Sequence, residues 1–467
     1  MKRILLSVSC GAALLFQVSA EENPAATNVP SSQLKLDGGG DIRLRQEAWN
    51  RIPKMGGPCT MYNYFRIRER VWGEVKYTDD YRLYVRFVNE TRHYIAHRDK
   101  ERNLVWPDQI VLDNLYLDIN NRFKDSVDFR IGRQDLDIGS WRISGDGTPG
   151  DTSRTAYTDS LLATWRANPK NTIKFFGIFQ QPYDYLSMGE TKGIPAEWDG
   201  ERQLTMKESK AYDAYESGAG FNWRTEEIDK KFPVNIYSIW KRESDYKLGT
   251  ATKPGRNIFT SGILLNPKFT DELSAESEFA WQGGQTDDDR DICAWMAYNA
   301  GTWKPSVKSA VRPYLTLGVY ALSGDKNPND GTDTNWNALW GRTPQISDLM
   351  VLYYTYSYNA FGYWSNMIYP FIGTGTDIGK SVKITIHTGP MFAETQDVDF
   401  TQNGGEGQYR GYLVYTQLEW MLVKGAFNGR GDLSTRLRGE VFWVSDYTEP
   451  HDDAPAYFLQ WQVIAAY

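Results

Sequence analysis

The final eleven residues read Tyr457-Phe458-Leu459-Gln460-Trp461-Gln462-Val463-Ile464-Ala465-Ala466-Tyr467. Every second residue back from Tyr467 is apolar: Ala465, Val463, Trp461, Leu459 and Tyr457. The intervening positions include Gln460 and Gln462. Side chains alternate between the two faces of a strand, so one face here is greasy, with tyrosine at both margins, and the other is mixed. A barrel strand facing lipid needs this pattern. A strand of a soluble sandwich shows the same alternation, so the rest of the chain must decide between them.

The N-terminus favours the membrane reading. Lys2 and Arg3 precede an apolar run from Ile4 to Phe16, and Val18-Ser19-Ala20 supplies small residues before Glu21. Residues 1–20 are therefore expected to be a secretory signal peptide, cleaved after Ala20. The run ahead of Cys10 is too short for a lipoprotein signal. Removing residues 1–20 takes away two positive charges and no negative one, so the net charge of −7 becomes −9. No other stretch approaches the ~18 apolar residues of a spanning helix, and the mean hydropathy is −0.55. A membrane protein that polar must be a barrel, because only half of each strand faces lipid. The 17 Trp, 29 Tyr and 20 Phe suit interfacial girdles. The competing class is a secreted, aromatic-rich β-sandwich.

Alternating segments recur near 36–49, 61–76, 81–92, 109–119, 126–134, 156–167, 171–181, 211–223, 233–243, 256–266, 272–283, 291–303, 309–323, 350–366, 383–395, 409–424, 434–445 and 456–467. This predicts an all-β fold, a transmembrane antiparallel barrel of about 18 strands, an even number as bacterial barrels require. No stretch shows a convincing helical period. The connections alternate long and short: 93–108, 135–155, 182–210, 244–255 and 324–349 are long, whereas Tyr77 to Asp80, Ala167 to Lys170 and Asn266 to Asp271 are short. Long extracellular loops and short periplasmic turns produce that parity, and a soluble β-protein has no reason to keep it. Two connections, near 224–232 and 284–290, break the contrast. Residues 21–33 read as an unstructured leader, and 34–467 as one barrel in the bacterial outer membrane. The last strand is expected to pair with the first.

Two-face sorting also assigns the arginines. Arg66, Arg68 and Arg70 oppose Phe65, Ile67 and Val71; Arg82, Arg86, Glu90 and Arg92 oppose Leu83, Val85 and Phe87; Arg43 and Arg45 oppose Ile42 and Leu44. A charge on the lipid face near the midplane costs roughly 2–4 kcal/mol, so these arginines are expected to face the lumen. Arg130, Arg133, Arg312 and Arg436 extend the set, with Glu47, Glu74, Glu90, Glu276 and Glu278 as counter-charges. Rings of arginine suit anion pores, and guanidinium matches carboxylate geometry. The other role for such a ladder is solubility and pairing between strands. Concentrating arginine on one wall of a net-acidic protein favours the selective role. Tyr84, Tyr116, Tyr314 and Tyr320 stand among the charges, either to stack on sugar rings or to pack.

Two motifs carry a resemblance. Arg130-Ile131-Gly132-Arg133-Gln134-Asp135-Leu136 ends one strand, followed by Trp141-Arg142, a stretch from Gly145 to Gly150, and Thr158-Asp159. Ala321-Leu322-Ser323-Gly324-Asp325 is followed by Asn327, Asn329, Asp330 and Gly331, then by Asn335-Trp336-Asn337-Ala338-Leu339-Trp340. In these motifs and in strand order the chain resembles the alginate-export family of outer-membrane porins, over essentially the whole mature sequence. The resemblance implies export of an acidic polysaccharide such as alginate through an electropositive pore, with Arg130 and Arg133 as pore positions. It implies outer-membrane lipid, an anionic polysaccharide or small anions, and periplasmic secretion components as partners, with no nucleic acid and no cofactor. The family's long periplasmic turn late in the chain is missing here, since Gly425 to Asp432 is short. Gating then falls to external loops such as 182–210 or 324–349.

Other chemistries find little support. Asp325, Asn327, Asn329 and Asp333 form an oxygen-rich loop, but Gly331 is off by one from calcium-loop spacing. The four histidines are His93, His97, His387 and His451, and only His387 lies in a clear strand, with no serine nucleophile motif beside it. An outer-membrane enzyme is thus disfavoured. A closed structural barrel is disfavoured too, because about 18 strands leave a channel unless loops fold inward. After signal removal Cys59 and Cys293 remain, and whether they pair is open; two distant cysteines are not a disulfide framework. Small-anion uptake stays open beside polysaccharide export.

Overall fold

Alternation of apolar and polar residues at strand length pairs each segment with its chain neighbour, and the last with the first. The computed structural model describes residues 34–54, 57–58, 61–97, 110–145, 157–182, 186, 214–248, 251–341, 346–358, 364–397, 405–429, 431–448 and 454–467. The signal peptide and leader, Cys59, the glycine-rich 146–150 and most of 182–210 lie outside the described residues. The wall begins with β1 (Leu34–Asn50), β2 (Tyr62–Tyr77), β3 (Tyr81–His97), β4 (Ile110–Asn121), β5 (Val127–Gln134) and β6 (Thr158–Asn168). It continues with β7 (Asn171–Gln180), β8 (Glu216–Thr225), β9 (Val234–Glu243), β10 (Arg256–Leu265), β11 (Leu273–Thr286) and β12 (Asp291–Trp303). It ends with β13 (Val311–Leu322), β14 (Met367–Ile378), β15 (Val382–Phe392), β16 (Tyr409–Gly425), β17 (Gly431–Val444) and β18 (Ala456–Ala466). These form a closed antiparallel barrel of 18 strands. A two-residue strand, Thr332–Asp333, lies parallel to the start of β12 and brings the whole sheet to 19.

The seam joins β1 to β18 from Asp41 opposite Ala466 to Asn50 opposite Tyr457. Tyr467 extends it: its N–H donates to the Gly40 carbonyl and the Gly40 N–H donates to the Tyr467 carbonyl, both at 2.9 Å. Outward positions are apolar and exposed, among them Leu44, Ile67, Leu83, Leu115, Ile131, Leu161, Trp281, Trp420, Leu459 and Trp461. Gln460 and Gln462 face inward and are buried. The turns 78–80, 169–170 and 379–381 are short, whereas 181–215 and 323–366 are long. The external connection 287–290 is the short exception, as the sequence shows.

One element differs from expectation. Where a strand is expected at 350–366, Asp348–Tyr358 is a helix, α1, residues 359–363 lie outside the described residues, and the wall strand follows at Met367. Ser347 caps the helix, its Oγ accepting from the Met350 N–H at 3.0 Å. Leu349, Met350, Tyr353, Tyr354, Thr355, Tyr356 and Ser357 are all buried. A helix buried on almost every side has no polar stripe, so its 3.6-residue period leaves no trace in the sequence, while its tyrosines and Val351 suggest a strand.

The apolar core lies inside the barrel. Leu136, Ile138 and Ile143 from the β5–β6 connection meet Trp336, Leu339 and Trp340 from the β13–β14 connection. With Leu349, Met350, Tyr353 and Tyr354 of α1 they pack on Trp49, Tyr64, Tyr237, Ile258, Met296, Tyr320, Tyr369 and Phe442 of the wall. Two external connections therefore fold inward and pack against the inner wall.

Candidate pore wall and its inward-folded segments

The arginines from β1 to β5 share the inner face, and like charges meet across strands. Arg43 stands opposite Arg68, and Arg45 opposite Arg66. Opposed like charges destabilise a sheet, and carboxylates from neighbouring strands relieve them. Glu90 accepts from Arg43 Nη2 at 3.1 Å and from Arg66 Nε at 3.0 Å. Glu47 accepts from Arg45 at 3.0 Å, from Arg66 at 2.8 Å and from the Tyr64 hydroxyl at 2.6 Å. Asp41 holds Arg68 at 3.2 Å and Arg70 at 2.5 Å. Toward β4, Arg86 Nε donates to Asp113 at 2.9 Å and its Nη2 to Asp135 at 3.0 Å. Asp118 lies between Arg82 at 2.8 Å and Arg130 at 2.6 Å. The wall is a ladder of ion pairs rather than a bare positive surface.

Depth divides the arginines into an open set and a buried set. Arg70, Arg82, Arg86, Arg92 and Arg130 show between 13 % and 30 % of their side chains. Asp41, Glu47, Glu74, Glu90, Asp113 and Asp118 show 10 % or less. These five guanidinium groups are open to the lumen, and most of their carboxylates sit behind them. Asp135 and Asp159 are the open exceptions, at 29 % and 41 %. Arg43, Arg45, Arg66 and Arg68 are buried.

The Gly-Arg-Gln motif finishes β5. Gly132 has a φ of +125°, and a Cβ there would lie 2.3 Å from the Leu115 carbonyl oxygen, so the ladder at this point needs glycine. Arg133 then bonds the Leu112 carbonyl at 2.9 Å and Asp159 at 2.9 Å, and lies 3.8 Å over the Tyr157 ring. Arg312 is not part of this cluster. It sits exposed at the start of β13 and donates to the Gly379 carbonyl at 2.8 Å. Arg436 pairs with Glu419 at 2.9 Å, away on β16 and β17.

Sequence reading missed what holds the inner segments. Arg142, buried on the β5–β6 connection, donates its Nε to Glu278 at 2.7 Å and also bonds Glu276, both on β11. Ser140 at 2.6 Å and Tyr237 at 2.9 Å donate to the same Glu278. Glu276 and Glu278 thus serve this strap and not the arginine ladder. The Trp340 N–H donates to the Ile143 carbonyl at 3.1 Å, tying the two connections together. At α1, Glu440 of β17 accepts from the Ser347 hydroxyl and from the N–H groups of Asp348 at 3.1 Å and Leu349 at 2.9 Å. A carboxylate at a helix N-terminus satisfies donors that have no intrahelical partner. Asp348 in turn pairs with Arg438 and accepts from Gln460 at 3.2 Å. Arg410, fully buried, donates to the Tyr358 hydroxyl at 2.6 Å and to the Asn366 carbonyl at 3.0 Å.

The oxygen-rich loop turns on itself. The Asn327 N–H donates to Asp325 Oδ1, Asn329 N–H to Asn327 Oδ1, and Asn335 N–H to Asp333 Oδ1, at 3.0, 3.2 and 3.1 Å. These are side-chain turns two residues long, and burial lifts the Asp325 carboxyl above its usual range. Among the described residues no group of three His, Cys, Asp or Glu is placed to hold a metal. His387 accepts or donates at Nδ1 with the Tyr369 hydroxyl at 3.0 Å and stacks on Tyr415. Cys293 faces outward and is a free thiol.

Comparisons with known proteins agree with this architecture. The crystal structure of Pseudomonas aeruginosa OccK5 (OpdH) is 10 % identical, covers 92 % of this chain and 97 % of its own, and superposes with a TM-score of 0.51. Acinetobacter baumannii OccAB4 is 10 % identical over 94 % of this chain and 99 % of its own, at 0.52. Pseudomonas aeruginosa OpdK, solved with vanillate, is 11 % identical over 92 % and 98 %, at 0.51. At these identities the likeness concerns the fold. No curated protein sequence matches. The family model described as alginate export matches residues 34–389. Both groups are channels, not enzymes. A closed barrel with this matched stretch places the protein in the bacterial outer membrane, and the chain belongs to the alginate-export family of porins.

Proposed function

We propose that this channel passes anionic solutes by passive diffusion along the arginine wall of β1 to β5. The observation that carries the reading is the difference in depth: Arg70, Arg82, Arg86, Arg92 and Arg130 meet the lumen while most of their carboxylates lie behind them. An array of water-facing guanidinium groups attracts carboxylates and repels cations. Membership of the alginate-export family makes an acidic polysaccharide such as alginate, moving outward with periplasmic secretion components, the leading solute. A second reading, uptake of small anions, is favoured by the inward-folded 135–145 and 333–341 stretches and α1, which pack as core inside the barrel. Vanillate, with which the structural neighbour OpdK was solved, is a small carboxylate of that kind.

Planar-bilayer recordings in a salt gradient test the main reading. A reversal potential of the sign for anions is expected, and a cation-selective pore would sink it. Block by oligouronates against block by small carboxylates then separates export from uptake.

A further inference from the structure

Arg86 stands between two carboxylates that differ in depth. Its Nε donates to Asp113 at 2.9 Å and its Nη2 to Asp135 at 3.0 Å. Asp113 is fully buried, whereas 29 % of the Asp135 side chain is accessible. Among the described ion pairs of Arg70, Arg82, Arg86, Arg92 and Arg130, every other carboxylate shows 10 % or less. Asp135 differs in origin as well. Asp41, Glu74, Glu90, Asp113 and Asp118 belong to wall strands β1 to β4. Asp135 follows Gln134, the last residue of β5, and opens the inward-folded 135–145 stretch. The Asn114 amide donates to its Oδ1 at 3.2 Å. Farther on, the stretch has its own anchors: Leu136, Ile138 and Ile143 in the core, and Arg142 on Glu278.

We propose that Asp135 is a built-in counter-anion, occupying on Arg86 the place that a passing anion takes. Charge balance favours exchange over addition. One guanidinium and two carboxylates carry one net negative charge. A monovalent anion that replaces Asp135 leaves that charge unchanged, whereas one that binds beside Asp135 doubles it. Depth decides which carboxylate gives way. Asp113 has no water to turn to, and leaving it unpaired in the wall is costly. Asp135 meets lumen water and keeps the Asn114 amide, and an ion pair open to water is weak. Each passing anion therefore competes with Asp135 for the outer edge of Arg86, and Asp135 shortens its stay. Conduction needs such weak binding, since a solute must leave as readily as it enters. This role of Asp135 rests on the anion-channel reading and adds to it the residue that sets how long an anion is held.

The test uses the full barrel in planar bilayers, with potassium acetate as the permeant salt. Conductance of the unaltered channel is expected to rise with acetate without saturating below roughly 10 mM. Asp135→Asn keeps the side-chain shape and an oxygen for Asn114 but gives up the charge. It is expected to lower the half-saturating acetate concentration by about two- to fivefold. In an Arg86→Gln background the same substitution is expected to change nothing, because no guanidinium is left to unmask. A structural or long-range charge role would give the same shift with or without Arg86. Asp159→Asn removes an equally open carboxylate, but its partner Arg133 is only 5 % accessible, so half-saturation is expected to stay where it is. A shift that survives Arg86→Gln, or one of equal size in Asp159→Asn, overturns the proposal. Saturation of the unaltered channel below roughly 10 mM overturns it even where a variant fails to fold. Cation selectivity in the salt gradient instead overturns the parent reading, so the two failures are told apart.

Discussion

Arg43 and Arg130 share one wall and differ in what they touch. Arg43 is fully buried against Glu90, whereas Arg130 reaches lumen water. Arg130→Ala should therefore move the reversal potential toward zero more than Arg43→Ala does. Arg43→Ala should mainly lower the unfolding midpoint, because breaking a buried pair is destabilising; a larger selectivity loss in Arg43→Ala would contradict this order. Which residues face inward was legible, because alternation along a strand fixes the face and a lipid-facing arginine is too costly. Depth was not, since it depends on which carboxylates reach across from other strands. Asp41, Asp113 and Asp118 lie far from their partners in sequence and entered no reading of the chain. Arg142 was named only as part of a motif, and its work depends on Glu278 of β11. Arg142→Ala leaves that carboxylate with Ser140 and Tyr237 alone. A local cost of about 3–5 kcal/mol is expected, seen as larger and noisier single-channel conductance once the strap loosens. Conductance equal to that of the unaltered channel would refute the strap's role.

At the scale of elements, a period of two betrays wall strands even where boundaries shift, and the expected segments fall on observed strands except at 350–366. There the element is hidden by its surroundings. α1 is enclosed by wall and loops, so burial replaces the amphipathic pattern that exposes ordinary helices. Its N-terminus is seated chiefly by one wall residue. Glu440 satisfies Ser347 and two helix N–H groups, and Asp348 binds Arg438 and Gln460 nearby. Glu440→Ala leaves those donors unmet inside the lumen, a loss of about 1–3 kcal/mol. The helix should then leave its seat more often than the barrel unfolds. Protease access near residues 348–358 should rise while the heat-modifiable gel mobility of the barrel stays intact. Protection equal to the unaltered protein would show that packing of Tyr353 and Tyr354 alone holds the helix.

For the whole molecule, the seam between β1 and β18 is where closure succeeds or fails. Open edges leave backbone donors unpaired in lipid, which the bilayer does not tolerate. Here the edge bonds extend to Tyr467, whose carbonyl and N–H both meet Gly40. Space at that point is limited: a Cβ on Gly40 would lie 2.5 Å from the Arg70 carbonyl oxygen and 3.0 Å from the Tyr467 hydroxyl, and one on Gly39 would lie 2.4 Å from the Tyr467 carbonyl oxygen. Sequence reading reached the pairing of last strand with first through even strand number and loop parity. It could not reach the glycines, whose need appears only when β2 and Tyr467 close on β1 from both sides. Gly40→Val pushes a branched side chain into both contacts, and the clash with backbone has no flexible end that can yield. Refolding into detergent should give little heat-modifiable barrel for Gly40→Val and a reduced yield for a chain lacking Tyr467. Gly73→Ala, with no backbone or side chain closer than 3.9 Å to the added carbon, controls for simple loss of glycine on the adjacent strand. A Gly40→Val barrel that folds with the yield of the Gly73→Ala control would mean that the seam relaxes around Tyr467, and that closure is set by the remaining β1–β18 register from Asp41 to Asn50.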